Sequence, residues 1–387
     1  MDKVRIGVIG VSGRGRIAEY WHKPGGRSEV TAGADVSTEF LEEFKEKTAP
    51  GAFTTTDYRQ LLARDDVDAV AVTSPDFTHE EYAIEAFRAG KHVFTEKPMA
   101  ITTEGCDRMI SEWKKSGKKF MVGHNMRYMR IFRTMKDIAD SGVIGEIKAA
   151  WVRHFVGAGG SFYYHDWHGR SDKSSGLLLQ KGSHDLDMIH WITGSYTKKV
   201  SAFGGLDFYG GSHADDLLCS ECGEAESCAE AEPDAPLRRQ YCAFRREIDV
   251  EDNNLVIMEL DNGIKASYLQ CHFSPDYFRN YAFIGTEGRM ENMDDSTKII
   301  VKTRSQTKKW KNYADRIYEV KPAEGSHGGA DPVICTDFIN MILEDTEPLS
   351  TPEAGRMSVA AGYAATISLR SGGRVVNIPP VNPEIMP

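Results

Sequence analysis

Long apolar runs are absent from this sequence of 387 residues. No stretch approaches the ~20 apolar residues that span a bilayer. Residues 1–6 carry charges where a signal peptide would need an apolar core. We therefore expect a cytoplasmic protein that has no membrane partner.

Basic residues are in short supply, with 47 Lys and Arg against 57 Asp and Glu. The resulting net charge of −10 argues against nucleic acid as a partner, because a phosphate backbone attracts a basic surface. The chain also contains no internal repeat at a fixed period. These features favour an ordinary globular protein.

Cysteine is scarce as well. The seven cysteines are an odd number in a long chain, which fits reduced thiols better than a disulfide framework. Four of them are grouped, and the segment 219–236 carries six acidic residues and no basic one. Cysteines in close pairs suit zinc, but this group has one close pair only, so a structural zinc site and a flexible insertion with free thiols both stay open. We assign no metal to the reaction site. The grouped cysteines are Cys219, Cys222, Cys228 and Cys242.

Apolar runs alternate with amphipathic stretches over the first part of the chain, up to about residue 125. This alternation predicts an α/β fold with a doubly wound parallel sheet, the Rossmann arrangement. Glycine and lysine at the ends of the amphipathic stretches support the helices. Strands are predicted at 4–9, 29–35, 67–73, 91–95 and 119–122, and helices from 16 and at 38–47, 77–89 and 102–116.

The alternation of strands and helices ends after residue 125, where several predicted strands follow one another with short turns between them. We expect a C-terminal α+β domain with an open, mostly antiparallel sheet. The predicted domains are 1–125 and 126–387, with a cysteine-rich acidic insertion near 212–245. Strands are predicted at 146–155, 254–260, 264–272, 281–284 and 298–302, and helices at 131–140, 177–192, 332–343 and 352–369.

A glycine-rich turn joins the first strand to the first helix. Gly10 and Gly15 match the outer glycines of the G-x-G-x-x-G pattern, while Ser12 takes the middle position with Gly13 beside it. Such a turn lets backbone N–H groups approach the pyrophosphate of a dinucleotide at a helix N-terminus. The context therefore predicts a dinucleotide site.

Asp35 comes 20 residues after Gly15, at the end of the second predicted strand. A carboxylate at this position accepts hydrogen bonds from the adenosine ribose and repels a 2′-phosphate, which favours NAD over NADP. A positive charge from Arg14 or Arg16 would weaken the preference for NAD, although surface roles are the simpler interpretation for both.

Four further motifs stand after predicted strands or within the helix predicted at 177–192. They are Ser74-Pro75 with His79, Glu96-Lys97-Pro98, the hexapeptide at 123–128 (GHNMRY) and the heptapeptide at 181–187 (KGSHDLD). Together they resemble the Gfo/Idh/MocA family, which includes glucose-fructose oxidoreductase and inositol dehydrogenase. The resemblance covers nearly the whole chain apart from the cysteine-bearing insertion.

The resemblance implies NAD as cofactor and a sugar or cyclitol as substrate. It also implies that Lys97 is catalytic and that the peptide between Lys97 and Pro98 is cis. Face-to-face packing of open sheets in the family implies a homodimer or homotetramer. The residues expected to bind the cofactor are Gly10, Ser12, Gly13, Arg14, Gly15, Asp35, Ser74, Pro75, His79, Glu96, Lys97 and Asn125.

Two side chains are the main candidates for the chemistry. Lys97 follows a parallel strand, where open α/β sheets bind ligands, and its ammonium can stabilise a developing alkoxide. His184 suits proton exchange with a carbinol. In inositol dehydrogenases an Asp stands four residues before this His, whereas this chain has Gln180, so Lys181 or Asp187 is considered as the relay instead.

A loop at 163–170 rich in aromatic and polar residues suits a polyhydroxylated ring, although packing is an equally good reading of such a cluster. Asp331, in a Gly-rich turn at 327–331, reads as a helix cap. The residues expected to contact substrate are Lys97, Arg127, Tyr164, Trp167, His168, Lys181 and His184.

The leading interpretation is an NAD-dependent oxidoreductase that transfers a hydride between nicotinamide and a secondary hydroxyl of a sugar, glycoside or cyclitol. One alternative is a redox-neutral, NAD-dependent glycosidase, which needs an additional base among Tyr164, His165 and His168. A second alternative is a non-catalytic sugar or NAD sensor, which the presence of both Lys97 and His184 disfavours.

Overall fold

The apolar run at the start of the chain forms the inner strand of a six-stranded parallel sheet. The strands are β1 Val4–Ile9, β2 Ser28–Ala34, β3 Phe53–Thr55, β4 Ala69–Val72, β5 His92–Thr95 and β6 Phe120–Val122. Their order is β3-β2-β1-β4-β5-β6, and every pair is parallel. The structure, a computed structural model, describes residues 2–293, 297–304, 313–321 and 323–384. It confirms the predicted Rossmann sheet and adds the short edge strand β3.

The second sheet is mixed and mostly antiparallel, as predicted. Its strand order is β14-β13-β12-β11-β7-β10-β9-β8-β15. Among the described strands of this second sheet, β7 and β10 form the one parallel pair. Four of its strands were not predicted, namely β8, β12, β14 and β15. The strands are β7 Ile147–Phe155, β8 Thr197–Gly205, β9 Asn253–Leu260, β10 Lys265–Cys271, β11 Phe278–Gly285, β12 Gly288–Asn292, β13 Lys298–Thr303, β14 Arg316–Glu319 and β15 Val376–Asn377.

The described helices agree with most of the predicted ones. A 3-10 helix, Gly13–Tyr20, replaces the first predicted α-helix. The helix predicted at 177–192 is divided into two, with Lys181 at the junction. The α-helices are α1 Thr38–Lys47, α2 Tyr58–Leu62, α3 His79–Arg88, α4 Thr103–Ser116, α5 Arg130–Asp140, α6 Ser171–Ser174, α7 Leu177–Gln180, α8 Gly182–Thr193, α9 Ser326–Leu343 and α10 Pro352–Arg370.

The chain forms two units, and the first is built from separated stretches. Unit 1 comprises Met1–Phe132, Pro322–Val359 and Pro380–Pro387, and unit 2 comprises Arg133–Lys321 and Ala360–Pro379. The sequence predicted one domain boundary, at residue 125. It did not predict that the chain returns to unit 1 near its C-terminal end. Among the described residues, no helix combines the length and apolar character that crossing a membrane demands.

An aromatic cluster explains why a late helix joins the first unit. Trp21, Phe94 and Phe338 are fully buried, with ring centroids 5.2 to 5.8 Å apart. The indole N–H of Trp21 also donates to the backbone carbonyl of Cys335 at 3.1 Å. Burying large aromatic rings is strongly favourable, so α9 packs against the parallel sheet although it lies far from it in sequence.

Alternating residues of unit 2 leave one sheet face exposed. The apolar side chains of Trp151, Phe203 and Ile257 are each more than half exposed. The residues on either side of Trp151 and Ile257 along their strands are buried. The opposite face carries α8, which contacts β7 and β10. Unit 2 thus has a covered face and an open apolar face.

Candidate active site

The turn after β1 has no room for a side chain at two positions. Gly10 has a φ of +88°, and a Cβ atom there would lie 2.6 Å from the backbone of Ser74. A Cβ atom on Gly15 would lie 2.1 Å from the carbonyl oxygen of Gly10. Glycine at both positions allows the tight turn and the close approach of a phosphate to backbone N–H groups at the start of a helix.

Ser12 and Gly13 complete this turn. Gly13 adopts a left-handed conformation, with a φ of +53°, and space is open where its Cβ would be. The carbonyl of Ser12 accepts the N–H of Gly15 at 2.8 Å, while its hydroxyl makes no capping bond to the 3-10 helix. Gly13 therefore supplies the backbone freedom that is lost where Ser12 replaces the middle glycine of the G-x-G-x-x-G pattern.

Asp35 lies directly after β2 and beside the glycine turn. One carboxylate oxygen accepts the N–H of Val11 at 3.0 Å, and the other accepts the N–H of Ser37 at 3.1 Å. These bonds hold the carboxylate in place, and each oxygen retains a further lone pair. The geometry suits acceptance of hydrogen bonds from ribose hydroxyls.

Arg14 connects the turn to two carboxylates. Its guanidinium donates to Glu96 at 2.5 Å and to the two oxygens of Asp331 at 2.6 and 2.9 Å. Burial alone would lower the pKa of Arg14, but the charges of Glu96 and Asp331 raise it above its ordinary value. Arg16, by contrast, is exposed and pairs with Glu43 at 3.2 Å. Both arginines are thus engaged by carboxylates.

Asp331 has a larger role than the helix cap that the sequence suggested. Its buried carboxylate accepts from Arg14, from the Ser326 hydroxyl at 2.5 Å and from the amide of Asn125 at 3.3 Å, and it contacts His327 at 2.8 Å. Burial would raise the pKa of Asp331, yet His327 and Arg14 hold it well below its usual range. A carboxylate in a Gly-rich turn that also carries a histidine was the sequence signal for this centre.

Lys97 follows β5, and the peptide bond between Lys97 and Pro98 is cis, as the resemblance implied. The carboxylate of Glu96 accepts the backbone N–H of Lys97 at 3.1 Å. A Cβ atom on Gly123 would lie 3.0 Å from that carboxylate, a tight contact that glycine avoids. Glu96 therefore fixes the backbone from which the Lys97 side chain extends.

His79 is buried and joins two loops at the same edge of the sheet. Its Nε2 contacts the carbonyl of Ser74 and its Nδ1 the carbonyl of Pro98, each at 2.8 Å. Ser74 itself pairs its hydroxyl with that of Thr78 at 2.6 Å, and Pro75 precedes a 3-10 turn. Because the His79 ring is 1% exposed, we reassign it from cofactor contact to positioning of these loops.

Asn125 and Arg127 lie in a buried 3-10 turn after β6. The amide nitrogen of Asn125 donates to Asp331, while its Oδ1 atom is buried without a hydrogen-bond partner among the described residues. Arg127 donates to the carbonyl of Leu349 at 2.7 Å and is 6% exposed. Asn125 thus keeps an acceptor for a ligand. The described contacts of Arg127 fit a structural role better than the substrate contact predicted from the sequence.

The predicted catalytic face of unit 2 is divided between two helices. α7 ends at Gln180 and α8 begins at Gly182, so Lys181 forms the junction. His184 and Asp187 lie three residues apart on α8, with His184 partly exposed and Asp187 fully buried. Of the two, His184 is the more exposed side chain.

Lys181 has the titration behaviour expected of a proton-transfer group. Its ammonium lies 5.5 Å from the ring centroid of Tyr163. Burial, assisted by the positive charge of Arg279, lowers the pKa of Lys181 to about 8. An amine with this pKa exchanges protons readily near neutral pH.

Asp185 is the centre of a buried polar network that the sequence analysis missed. Its carboxylate accepts from Tyr268 at 2.8 Å and from Tyr281, contacts His154 at 3.1 Å and pairs with Arg279 at 3.2 Å. Burial would raise the pKa of Asp185, but Arg279 and His154 hold it well below its usual range. Burial together with Arg279 lowers the pKa of His154 to about 3. This network fixes α8, and with it His184, on the second sheet.

Tyr164 does not belong to the substrate-binding set. Its side chain is fully buried, its hydroxyl donates to the carbonyl of Glu251 at 3.1 Å, and its ring stacks on that of Tyr209 at 4.0 Å. Burial raises the pKa of Tyr164 well above its ordinary value. His165 is also buried, with Nδ1 bonded to the carbonyl of Tyr241 at 2.7 Å. Neither residue can serve as an accessible base.

Trp167 and His168 remain as candidates, since both are partly exposed. Their rings stack with centroids 3.7 Å apart. The Nδ1 atom of His168 lies 2.5 Å from the carboxylate of Asp166, which also accepts the His168 backbone N–H at 3.1 Å. A carboxylate that orients a histidine in this way leaves Nε2 to exchange a proton with a ligand.

Sequence models of two oxidoreductase-family domains match the chain. The NAD-binding Rossmann fold model covers residues 4–124, and the C-terminal alpha/beta domain model covers residues 136–378. Myo-inositol 2-dehydrogenase of Thermotoga maritima is 27% identical over 369 residues, which cover 95% of this chain and 96% of that protein. A glycosyl hydrolase family 109 protein of Shewanella baltica is 34% identical over 165 residues, 39% of this chain and 36% of that one.

The fold also matches solved structures. The WlbA dehydrogenase from Bordetella pertussis, solved with NADH and UDP-GlcNAcA, superposes with a TM-score of 0.73 at 22% identity, covering 97% of this chain and 99% of that one. At this identity the match concerns the fold alone. It agrees with the two-sheet architecture described above.

Proposed function

Because this chain belongs to the Gfo/Idh/MocA oxidoreductase family, we propose that it is an NAD-dependent dehydrogenase of a sugar, glycoside or cyclitol. The observation that carries the proposal is the shared edge of the first sheet. Lys97 follows β5 and the glycine turn follows β1, with only β4 between these two parallel strands. Open α/β sheets bind ligands at the carboxyl ends of their strands, so a dinucleotide and a cationic side chain can meet there.

The proposed reaction is reversible hydride transfer at a secondary carbinol. Bound NAD supplies the hydride acceptor. Lys97 holds the substrate hydroxyl and stabilises negative charge on its oxygen, and His184 accepts the hydroxyl proton. Lys181 takes the relay position in place of the Asp that inositol dehydrogenases carry where this chain has Gln180, and Asp187 stays the alternative relay.

The substrate class rests on the relatives. The Thermotoga protein that aligns with almost the whole chain is named for oxidation of myo-inositol. In unit 2, Trp167 offers an aromatic ring and His168 a polar edge, and both types of group suit a polyhydroxylated ring. We therefore propose sugars and cyclitols as the first compounds to assay.

The test is an assay with NAD and a panel of inositols, aldoses and glycosides, in which NADH absorbance and products are followed together. The proposal predicts NADH in proportion to oxidised product for at least one compound. Product without net NADH would favour the glycosidase described below. Tight binding of NAD and sugar without any turnover would favour the sensor.

Asp35 is predicted to determine the choice of cofactor. Its carboxylate beside the glycine turn accepts from a ribose 2′-hydroxyl and repels a 2′-phosphate. We expect the wild type to bind NAD more tightly than NADP, and Asp35→Ser to shift this preference toward NADP. Titration of nicotinamide fluorescence with both reduced cofactors measures the ratio. The matched control is Asp57→Ser, which makes the same exchange of aspartate for serine at a helix N-cap elsewhere in unit 1. Equal affinities in the wild type would contradict the assignment.

Lys181 is predicted to shape the pH dependence of oxidation. A proton-accepting relay must be neutral, and the pKa of Lys181 is about 8, so kcat for oxidation should rise as pH increases through about 8. Lys181→Arg keeps the positive charge but does not deprotonate in this range, so that rise should disappear. An unchanged pH profile in Lys181→Arg would exclude this relay and leave Asp187 as the alternative.

A second candidate function is supported by the Asp166 and His168 pair. A redox-neutral glycosidase oxidises one hydroxyl to a ketone, removes the proton from the adjacent carbon and eliminates the glycosidic substituent. Water then adds to the unsaturated ketone, and the hydride returns from the cofactor to the carbonyl carbon. That cycle needs a base besides His184. Of the three residues considered for this role, Tyr164 and His165 are buried and His168 is accessible. Similarity to the glycosyl hydrolase family 109 protein over part of the chain points the same way.

Solvent deuterium distinguishes the two functions. The glycosidase would incorporate deuterium at the carbon next to the oxidised one and release no net NADH. The dehydrogenase gives no reason for exchange at that position. Cleavage of a glycoside with solvent deuterium in the product would therefore establish the second candidate.

We also propose a cellular compartment and an oligomeric state for the enzyme. Seven free cysteines suit a reducing compartment, and we place the protein in the cytoplasm. The open apolar face that includes Trp151, Phe203 and Ile257 is a surface of the kind that mediates protein association. We propose that it packs against a second copy in a homodimer or homotetramer.

A further inference from the structure

The connection between β8 and β9 is long and has little regular structure. Residues 206–252 contain only two short 3-10 helices, Cys219–Glu221 and Leu237–Arg239, and two isolated β-bridges. Connections longer than about 12–15 residues without secondary structure are uncommon in compact domains. We call this segment, which extends beyond the predicted 212–245, the insertion. Its two ends pack into a buried apolar cluster through Tyr209, Ala243, Ile248 and Val250, whereas no residue of 219–236 is a member of that cluster.

Backbone hydrogen bonds bring the two ends of the cysteine-bearing region together. Leu218 and Tyr241 form an antiparallel bridge. The N–H groups of the adjoining residues Cys219 and Cys242 donate across this bridge, to Gln240 and Leu217, at 2.7 and 2.9 Å. The first and last of the grouped cysteines are therefore neighbours although they are far apart in sequence.

Two turns return the remaining cysteines to the same place. The N–H of Cys222 donates to the carbonyl of Cys219 at 3.3 Å, and the N–H of Cys228 donates to the carbonyl of Glu224 at 3.0 Å. Residues that line one cavity of about 20 Å³ include all four cysteines. The sulfur of Cys242 also accepts the N–H of Phe244 at 3.4 Å, a bond that stabilises a thiolate.

We propose that Cys219, Cys222, Cys228 and Cys242 bind one structural zinc ion. Four cysteine thiolates are a common ligand set for structural zinc. The segment 219–236 carries six acidic residues and no basic one, so a dication offsets a charge that four thiolates would otherwise increase. Binding releases the four thiol protons to solvent and involves no oxidation or reduction.

The four side chains must turn inward to bind the ion. In the described ranges, no group of three or more His, Cys, Asp or Glu side chains is arranged to hold an ion as it stands. Zinc binds thiolate sulfur at about 2.3 Å. The four cysteines already border one small cavity, and the proposal requires their χ1 angles to rotate between staggered positions until the four sulfur atoms face one point.

The insertion supports the loop that carries Trp167 and His168. The buried guanidinium of Arg245 donates to the carbonyl of Tyr164 at 2.6 Å and to that of Asp166 at 3.1 Å. The carbonyl of Tyr241, beside Cys242, contacts the ring of His165. Zinc that orders the insertion therefore also positions this loop, and loss of zinc should loosen both.

The full-length protein, purified under reducing conditions without chelator, should contain about one zinc per chain by elemental mass spectrometry. Titration with a thiol reagent should release zinc as these cysteines react. Cys222→Ser, at a half-buried position, removes one ligand and should lower zinc content while the protein still folds. The Cys271→Ser variant, whose cysteine lies outside the cavity, is the matched control and should retain the metal.

Two further readouts do not depend on turnover. Cobalt added to metal-free protein should give the visible absorption of a tetrahedral thiolate site, which the Cys219→Ser/Cys242→Ser variant should lack. Chelation should increase proteolysis within 206–252. The proposal would be overturned by wild-type protein without zinc, by equal zinc in the double variant, or by a disulfide between these cysteines in freshly purified protein.

Discussion

Lys97→Ala is expected to reduce kcat by about 10²- to 10⁴-fold, the usual effect of a group that assists proton transfer and charge development at the reacting oxygen. NAD binding should change little, because the glycine turn and Asp35 are untouched. Steady-state kinetics with an identified substrate, together with a cofactor titration, separates the two effects. We expect His184→Ala to behave in the same way.

Lys91→Ala is the matched control for this prediction. Lys91 precedes the opposite end of the same strand, β5, where its ammonium donates to the carbonyls of Arg64 and Val67 at 2.8 Å. Its loss removes a lysine of similar burial without touching the carboxyl edge of the sheet. Stability should fall while turnover persists. Near-normal turnover in Lys97→Ala would remove this residue from the chemistry.

Asp185→Asn is expected to lower the free energy of unfolding by about 3–5 kcal/mol, because it leaves the buried guanidinium of Arg279 without its counter-charge. Tyr268 and Tyr281 would also lose an anionic acceptor. Urea denaturation followed by a probe in unit 2 measures the change. Tyr268→Phe removes one hydrogen bond only and should cost about 1 kcal/mol.

Removing both members of the ion pair tests the cause of this loss. If an uncompensated buried charge is responsible, Asp185→Leu/Arg279→Met should recover much of the stability that Asp185→Asn loses. The network would also be shown to position His184 if Tyr268→Phe lowered kcat more than it raised KM. Wild-type stability in Asp185→Asn would show that the network contributes little.

The first sheet could be read from the sequence because its strands are buried on both faces and separated by amphipathic helices. β1 and α1 have the predicted bounds for this reason. The short edge strand β3 was missed, since its three residues, Phe-Thr-Thr, are too few to show a period. Two lysines in a row near the start of β8, Lys198 and Lys199, obscured its alternation in the same way.

The polar networks were missed for a different reason, because their partners are distant in sequence. Arg14 and Asp331 are separated by 317 residues, and Asp185 meets Tyr281 across 96. Each residue alone has an ordinary local explanation, such as a surface cation or a helix cap. Tyr164 shows the converse error, because an aromatic residue in a polar loop looks like a ligand contact until its stacking on Tyr209 is seen.

Transfer of a hydride from a carbinol carbon to NAD is the step on which the proposed function depends. The direct measurement uses a sugar or cyclitol deuterated at each carbinol carbon in turn, incubated with NAD, followed by mass spectrometry of the nicotinamide ring. We expect deuterium in released NADH for one position only, in proportion to the ketone formed, and transfer that is slower by about 10²- to 10⁴-fold with Lys97→Ala. Oxidised or cleaved product with no deuterium on the nicotinamide of either bound or released cofactor would contradict it.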